Sequence, residues 1–507
     1  MQGRWKELEF PSQSEADMSL ATYLVNMIGP DIEKIETQMI NSGLYREKYN
    51  NQDQEYGSYL KRTIAKAIDN NKKNLSREKN IIDELNQRHA VVSINGSCLV
   101  LNEEIDPING HQDISLSKFK DFKNRYLNKT EFIRNSNAKP VNIADLWLRS
   151  PRRRQYEGIV FSPGKEHENY YNLYRGWNIK PARGDWSLFK KHIFEVIAGS
   201  KQDIYDYVIA WMAHAVQYPG SDNKPGVSIV LQGKQGTGKG IFVTNYGKLF
   251  DPHFLHLSSA NHLTGRFNSF LKDKILVYAD EAIWTGNRHA AGILKTMITE
   301  DTIYIEPKGQ NGFGIRNYVR LIMSSNSDWI VPAGLEERRF FVLEVIDKYM
   351  GNHGYFRSIM DQMNSGGREA MLYDLLRVDL SGVNLKDFPR TNALMKQIEL
   401  SMSLVQKWWF YRLLDGAQLS SDDSWQDKVG NKLLYNDYKD FIIDSGGKDM
   451  TSNIAFGREL KKLCPLIKDT RMTIDDHTEP AKSFPNLTQC RKQFESIVNI
   501  QVDWNNF

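Results

Sequence analysis

The stretch VLQGKQGTGKG, residues 230–240, decides how this chain of 507 residues is read. It sits inside GVSIVLQGKQGTGKGIFVTNYGKLF, which has the pattern of a strand, a loop and a helix. Val227, Ile229, Val230 and Leu231 form an apolar run suited to a buried strand, and Phe242, Tyr246, Leu249 and Phe250 fall on one helical face. Between them, Gly233, Gly236 and Gly238 let backbone N–H groups converge on phosphate oxygens at a helix N-terminus that favours anions. Lys234, Gln235 and Thr237 complete the loop, and Lys239 supplies a point charge for the outer phosphates. With 35 glycines in the chain, a bare G-x4-G-K would arise by accident in roughly one such sequence in six, so its weight comes from this context. One position departs from the usual pattern. Gly240 stands where a Ser or Thr hydroxyl normally binds Mg²⁺, and Asp280, phosphate oxygens and water would have to supply the metal's shell instead.

Three later segments offer partners for this loop. KDKILVYADEA reads as a second buried strand ending in Asp280 and Glu281, and ligands of a parallel α/β sheet lie at such strand ends. One acid can hold Mg²⁺, the assignment given to Asp280, and the other can orient an attacking water. VRLIMSSNSDWIVP is a third strand, ending at Asn326, whose amide can hydrogen-bond a water or a phosphate. EERRFFVLEV places Arg338 and Arg339 just before a fourth. Taken singly, an acidic loop after a strand and a pair of surface arginines are ordinary features.

Composition sets the frame. A hydrophobic fraction of 40% and a charged fraction of 25% are those of a globular protein. No apolar run approaches the ~20 residues that cross a bilayer, and the first residues lack a signal-peptide core, so a cytoplasmic protein with no membrane partner is expected. Cys98, Cys464 and Cys490 have no metal-ligand spacing and read as free thiols. A net charge of +4 leaves nucleic-acid contact to local groups, of which Arg149, Arg152, Arg153 and Arg154 form the densest cluster.

The pattern divides the chain into five parts. Residues 1–90 read as helical and 91–185 as a mixed α/β connecting region with a hairpin at Asn95-Gly96. Residues 186–350 alternate short apolar runs with amphipathic helices, 351–420 read as a helical lid, and 421–507 as helices with a β-leaning tail.

The loop, the ADE strand, IMSSNSDW and EERRF follow one another in the order found in superfamily 3 helicases of the AAA+ class, and the chain resembles the phage and plasmid primase-helicases among them. The resemblance implies an α/β multidomain fold with a P-loop AAA+ core, a helical N-terminal segment and a C-terminal winged-helix-like domain. It makes Gly233 to Gly240 the ATP-binding loop, Asp280 and Glu281 the acidic pair, Asn326 the sensor and Arg338 or Arg339 a finger reaching a neighbour's nucleotide. In the same family a hairpin before the sensor strand grips DNA. TIYIEPKGQNGFGIRNYVRL fits that place, with Ile303 and Ile305 leading to a tip at Gly309, Gly312 and Gly314. Lys308 is then the candidate phosphate contact, and Phe313 and Arg316 its candidate helpers. Upstream, SGLYREKY and YGSYLKRTIAKAI are similar to the segment that follows the primase-polymerase domain in self-priming deep-sea vent phage polymerases. The expectation is therefore the C-terminal part of a phage replication protein in its infected host. It would use ATP and Mg²⁺, form a homo-oligomeric ring, expected to be a hexamer, and act on single-stranded or forked DNA beside a primase-polymerase domain of the same full-length protein. No D-x-D or partner acid is placed for nucleotidyl transfer in this stretch. Two other readings stay open: a nucleotide-binding DNA clamp with little hydrolysis, which Gly240 favours, and a P-loop kinase or metabolic NTPase, which the hairpin lysine and paired arginines oppose.

Overall fold

The computed structural model describes residues 5–6, 10–50, 52–53, 57–94, 96–107, 110, 112–131, 140–258, 263, 265, 267–281, 288–306, 312–447, 450–474 and 477–505. The chain forms two compact units, one of residues 1–160 with 167–172 and one of 161–166 with 173–507. Among the described residues no helix is long and apolar enough to cross a membrane.

The first unit begins with three helices, α1 (Gln13–Ile28), α2 (Ile32–Ile40) and α3 (Tyr59–Asn86), each capped by a side chain, from Ser12, Asp31 and Ser58. Val25, Ile35, Met39, Leu60 and Ile64 close their core. Asp17 is fully buried there, and accepts hydrogen bonds from Tyr49 (2.7 Å) and Tyr59 (3.1 Å) beside an ion pair with Arg46. The helical pattern expected to run on through residue 49 stops at Ile40. The reason is Ser42, whose hydroxyl donates to Met39 O (2.6 Å) and accepts from Leu44 N (3.2 Å), replacing the next helical turn with a local one.

A four-stranded sheet follows, from β1 (His89–Ile94), β2 (Ser97–Ile105), β3 (Gln112–Ser117) and β4 (Gln155–Tyr156), in the order β3-β2-β1-β4. The β1–β2 hairpin turns through Gly96 at φ 78°; Asn95 lies outside the described residues. The basic cluster is largely spent inside this unit. Arg152 pairs with Asp83 (2.8 Å) and Arg154 with Glu103 (2.5 Å), Arg153 donates to Leu148 O, and Arg149 is exposed.

The second unit is built on a five-stranded parallel sheet. Its strands are β5 (Ser228–Gln232), β6 (Phe254–Leu257), β7 (Leu276–Ala279), β10 (Arg320–Ser325) and β11 (Phe340–Glu344). An antiparallel hairpin, β8 (Thr302–Ile305) with β9 (Phe313–Arg316), stands between β7 and β10 in sequence. The order across the sheet is β6-β7-β10-β5-β11, every neighbour parallel. Helices cover parallel sheets on both faces, which is why these strands read as unbroken apolar runs. α4 (Ser187–His192), α5 (Gln202–Gln217) and α6 (Lys239–Gly247) precede β6, and α7 (Arg288–Thr299) precedes β8. The chain leaves β5 for the far edge, returns through β7 and β10, then crosses to β11. The crevice that binds ligands in such sheets lies at that reversal, at the carboxyl ends of β5 and β10.

After β11 come α8 (His353–Gln362), α9 (Arg368–Leu375), α10 (Asn392–Ser401) and α11 (Leu404–Asp415). The apolar pattern across α10 and α11 reads as one helix. It is two, because Ser403 and Gln406 form a reciprocal capping box that starts α11 afresh. The last segment has a three-stranded antiparallel sheet of β12 (Lys428–Gly430), β13 (Lys468–Ile474) and β14 (His477–Ser483), ordered β12-β14-β13. α12 (Asn431–Asp444) and α13 (Asn453–Leu463) fall between β12 and β13. The β-leaning tail is in fact this hairpin followed by α14 (Leu487–Val498), started by an Asn486 cap.

Candidate functional site

β5 delivers the chain to the crevice, and its neighbours fix the loop that follows. Gly233 N donates to Ser325 O at the end of β10 (3.2 Å), and Val345 N donates to Gln232 O from beyond β11 (2.7 Å). Thr237 is buried and its hydroxyl donates to Lys234 O (2.9 Å), closing the loop on itself. Gly238 caps α6 at φ 97°, and a Cβ there would lie 2.5 Å from His192 Cε1 and 2.8 Å from Phe356 Cε1. Only glycine meets both conditions. No side chain caps α6, so its first amides are left for an anion. Gly240 differs: nothing lies within 4 Å of a Cβ placed there.

Lys239 is almost fully buried under this loop. Its ammonium donates to Gly233 O, to Lys234 O (2.8 Å) and to Asn326 Oδ1 (2.9 Å). Burial lowers its pKa, opposed by the nearby charge of Asp280. Burial alone would raise the pKa of Asp280, yet it sits below the ordinary carboxylate value. Hydrogen bonds from Ser324, Tyr278 and the Glu281 N–H (3.1 Å), with His256 nearby, favour the charged form. Glu281 is exposed and adopts φ 54°, a left-handed conformation unusual for a side chain of its size. Lys239, Asn326, Asp280 and Glu281, taken from three strand ends, line one cavity of about 440 Å³ with the 235–240 loop. The volume is that of a small-molecule site. Lys234 is turned away into an exposed ion pair with Asp347 (2.8 Å).

Other sequence-derived residues lie elsewhere. Arg338 and Arg339 precede β11, at the end of the sheet opposite the loop, since Ser228 pairs with Phe340 and Gln232 with Glu344. Arg338 is exposed. Arg339 is half-buried, with its carbonyl accepting from Ser228 N (2.8 Å). The β8–β9 hairpin has Ile303 and Ile305 buried and Phe313 packed with them against the core. Arg316 pairs with Asp222 (2.8 Å). Lys308 and Gly309 lie outside the described residues.

Sequence reasoning missed the supports behind this cavity. Tyr278 OH and Ser324 Oγ share a hydrogen bond (2.9 Å), and Ser324 donates onward to Asp280. Period two was the available signal, because Tyr278 lies two residues before Asp280 and Ser324 two before Asn326. His192 had none. It is a lone histidine on an apolar helix face, yet Nε2 donates to Gly238 O (3.3 Å) and Nδ1 faces Tyr355 OH (3.2 Å). His253 is held in its neutral form too, with Nδ1 donating to Asp273 O (2.8 Å) and Nε2 accepting from Arg175 N (3.0 Å). Burial pushes both down to about 4. Above pH 6.5 they are neutral in folded and unfolded chains alike. Between 6.5 and 4 the unfolded chain binds protons that the folded one refuses, so stability falls as pH drops through that window. Thermal melts are expected to show a loss of about 2 kcal/mol per histidine at pH 5 relative to pH 7, and a His253→Gln variant a shallower pH slope.

Comparison with known proteins agrees with this architecture. Residues 231–339, which span the loop, the acidic pair, Asn326 and both arginines, match a family of unknown function, DUF5906. Residues 13–76 match the NrS-1 polymerase HBD domain. A DNA primase-polymerase of Nitratiruptor phage NrS-1 is 24% identical over 495 residues, 87% of this chain and 66% of that protein, so the chain spans just under two thirds of its relative. Two apo structures of the NrS-1 C-terminal region superpose with TM-scores of 0.58 and 0.57, at 19% and 18% identity, each over 80% of this chain and 98% of theirs. The chain is thus similar along most of its length to a phage DNA primase-polymerase, and it shares the fold of that protein's C-terminal region.

Proposed function

We propose that this chain is the ATP-driven, ring-forming DNA helicase or translocase module of a phage DNA replication protein, with a P-loop AAA+ core of the superfamily 3 kind. The carrying observation is the single cavity in which Lys239, Asn326, Asp280 and Glu281 meet the uncapped start of α6. In this reading the α6 amides and Lys239 hold the β- and γ-phosphates of ATP. Lys239 exchanges its present carbonyl acceptors for phosphate oxygens, and Asn326 keeps hold of the ammonium. Glu281 orients the attacking water and takes up its proton as the bond from the γ-phosphorus to ADP breaks, while Arg338 of a neighbouring copy faces the transferred γ-phosphoryl group.

The residues fit a substrate-borne Mg²⁺ better than a resident one. Among the described residues no group of three or more His, Cys, Asp or Glu side chains could cage a metal, and Mg²⁺ commonly takes one or two carboxylates with substrate phosphates. Asp280 is the ligand, oriented by Ser324 and the Glu281 N–H. When bound, the ion supplies charge neutralisation at the phosphates. Gly240 offers no hydroxyl, but the space around it admits one. Gly240→Ser is therefore expected to fold at least as stably as the parent, by up to about 0.5 kcal/mol from helix propensity. It is also expected to reach half-maximal turnover at a lower Mg²⁺ concentration, checked by magnesium titration of ATP hydrolysis and by melting.

The last segment, two helices followed by a β-hairpin on a small sheet, fits a winged-helix module in this reading. The chain's own primase-polymerase partner would be supplied by the remainder of a longer protein. A second reading, a nucleotide-binding DNA clamp that barely hydrolyses ATP, is favoured by Gly240 alone. ATP hydrolysis with and without single-stranded DNA separates the two. Turnover that DNA accelerates supports the motor, and nucleotide binding without turnover above a Glu281→Gln background supports the clamp.

A further inference from the structure

The three cysteines stand far apart in the sequence, and the fold brings two of them together. Cys464 ends α13 as its C-cap, and Cys490 lies one turn into α14, on the far side of the β13–β14 hairpin. Their sulfurs are 3.7 Å apart, in van der Waals contact, and both residues are fully buried. Cys98 is exposed and belongs to the first unit. A buried cysteine usually serves as a small apolar filler. Filling alone asks nothing of the sulfur's hydrogen bonds, and here the two sulfurs have different ones.

Cys490 Sγ donates to Pro485 O (3.5 Å), an acceptor that only a protonated thiol can serve. The hydrogen bond to Cys464 and burial both push its pKa up. Cys464 has the opposite surroundings. Chiefly the hydrogen bond from Cys490, then the N–H groups of Ile467 and Leu466 and the charge of Lys461, hold it below the ordinary thiol value against its burial. The Lys461 ammonium is kept in place by donating to Ile467 O. One sulfur is therefore set to ionise and the other to keep its proton. The cover over Cys464 is one turn thick, since the next two residues, Pro465 and Leu466, are exposed. A local opening there admits a small oxidant and keeps out a bulky disulfide.

We propose that Cys464 and Cys490 are a peroxide-oxidised pair, with Cys464 as the attacking sulfur and Cys490 as the one that resolves it into a disulfide. The Cys464 thiolate attacks an oxygen of a hydroperoxide, ROOH. The O–O bond breaks, the sulfur is oxidised to a sulfenic acid, and ROH leaves with the proton that Cys464 gave up. The Cys490 sulfur then attacks the sulfenic sulfur, the S–O bond breaks, and the hydroxide leaves as water with the Cys490 proton. Two thiols and one hydroperoxide become one disulfide, one ROH and one water. The new bond ties the end of α13 to α14 across the hairpin, and a thiol reductant reverses it. None of these steps involves nucleotide or DNA, so the pair is independent of the function proposed above.

Hydrogen peroxide on the folded full chain carrying Cys98→Ser tests it, with thiols counted by alkylation in denaturant and mass spectrometry. Both remaining thiols are expected to disappear together, with a mass loss of about 2 Da and a cross-linked peptide, and dithiothreitol is expected to restore both. In a Cys490→Ser chain dimedone is expected to trap a sulfenic acid at Cys464, whereas in Cys464→Ser the Cys490 thiol is expected to survive the same dose. Where a serine variant melts early, the unsubstituted chain replaces it, because the cross-linked peptide and an early dimedone label on Cys464 are read from it directly. Two alkylatable thiols after a dose that oxidises Cys98 in the unsubstituted chain overturn the proposal. So does a mass gain of about 16 or 32 Da at either cysteine with no cross-link, which marks stepwise oxidation of separate thiols. Dimedone label on Cys490 in place of Cys464 overturns the assigned order.

Discussion

Replacing Lys239 with Ala is expected to lower ATP turnover by about 10²–10³-fold and to abolish nucleotide binding at concentrations that saturate the parent. The ammonium is almost fully buried, and among the described residues no other lysine or arginine lines the cavity. Removing it also leaves Gly233 O, Lys234 O and Asn326 Oδ1 without a shared donor, which costs about 1–3 kcal/mol for each group that water cannot reach. A loss of activity in this variant alone would therefore confuse chemistry with folding. Glu281→Gln resolves the two. Its side chain is exposed, so the variant is expected to melt with the parent and to bind ATP as well or better, while turnover falls by a similar factor. Turnover in Glu281→Gln close to that of the parent would remove the general-base role from this acid. Retained binding in Lys239→Ala would remove the phosphate site from the loop.

The loop and its helix were legible because both obey local rules. The apolar run before Gly233 and the face made by Phe242, Tyr246, Leu249 and Phe250 are buried as their spacing requires. Strand ends at Asp280 and Asn326 could be read the same way. What could not be read was the order of strands. Nothing in VSIVLQ or FFVLE says that β5 lies between β10 and β11, since every one of these strands is apolar on both faces. The contact of Asn326 with Lys239 and the distance of Arg338 from the loop both follow from that order. Elements ended by a hydroxyl were also hard to see. Ser42 and Ser403 each interrupt an apolar helical pattern that periodicity alone carries through. On the hairpin, Phe313, read from the sequence as a helper in DNA contact, packs against the core, because alternation puts it on the inward face once the strand register is fixed.

Arg338→Ala is expected to cut ATP turnover by about 10³-fold or more while leaving nucleotide binding intact. The sheet explains why its own cavity cannot be the target. Arg338 lies six residues before Glu344, about 20 Å of extended chain from the loop end of β11. In the proposed head-to-tail ring, Arg338 at the amino end of one copy's sheet would reach the cavity of the next copy, acting across the interface. Arg338 suits that task better than Arg339. It is exposed, whereas Arg339 has its Nε buried and its carbonyl tied into the ladder with Ser228. Arg339→Ala is accordingly expected to lower the melting temperature more than the turnover. Mixing supplies the decisive measurement. Arg338→Ala and Lys239→Ala copies are each inactive, but a site between them can combine the intact loop of the first with the intact arginine of the second. In an equimolar random ring about one interface in four is of this kind, so the mixture is expected to recover up to about a quarter of parental turnover. Recovery of none, with both variants shown to co-assemble, would place Arg338 outside the chemistry and return the hydrolysis to groups within a single chain.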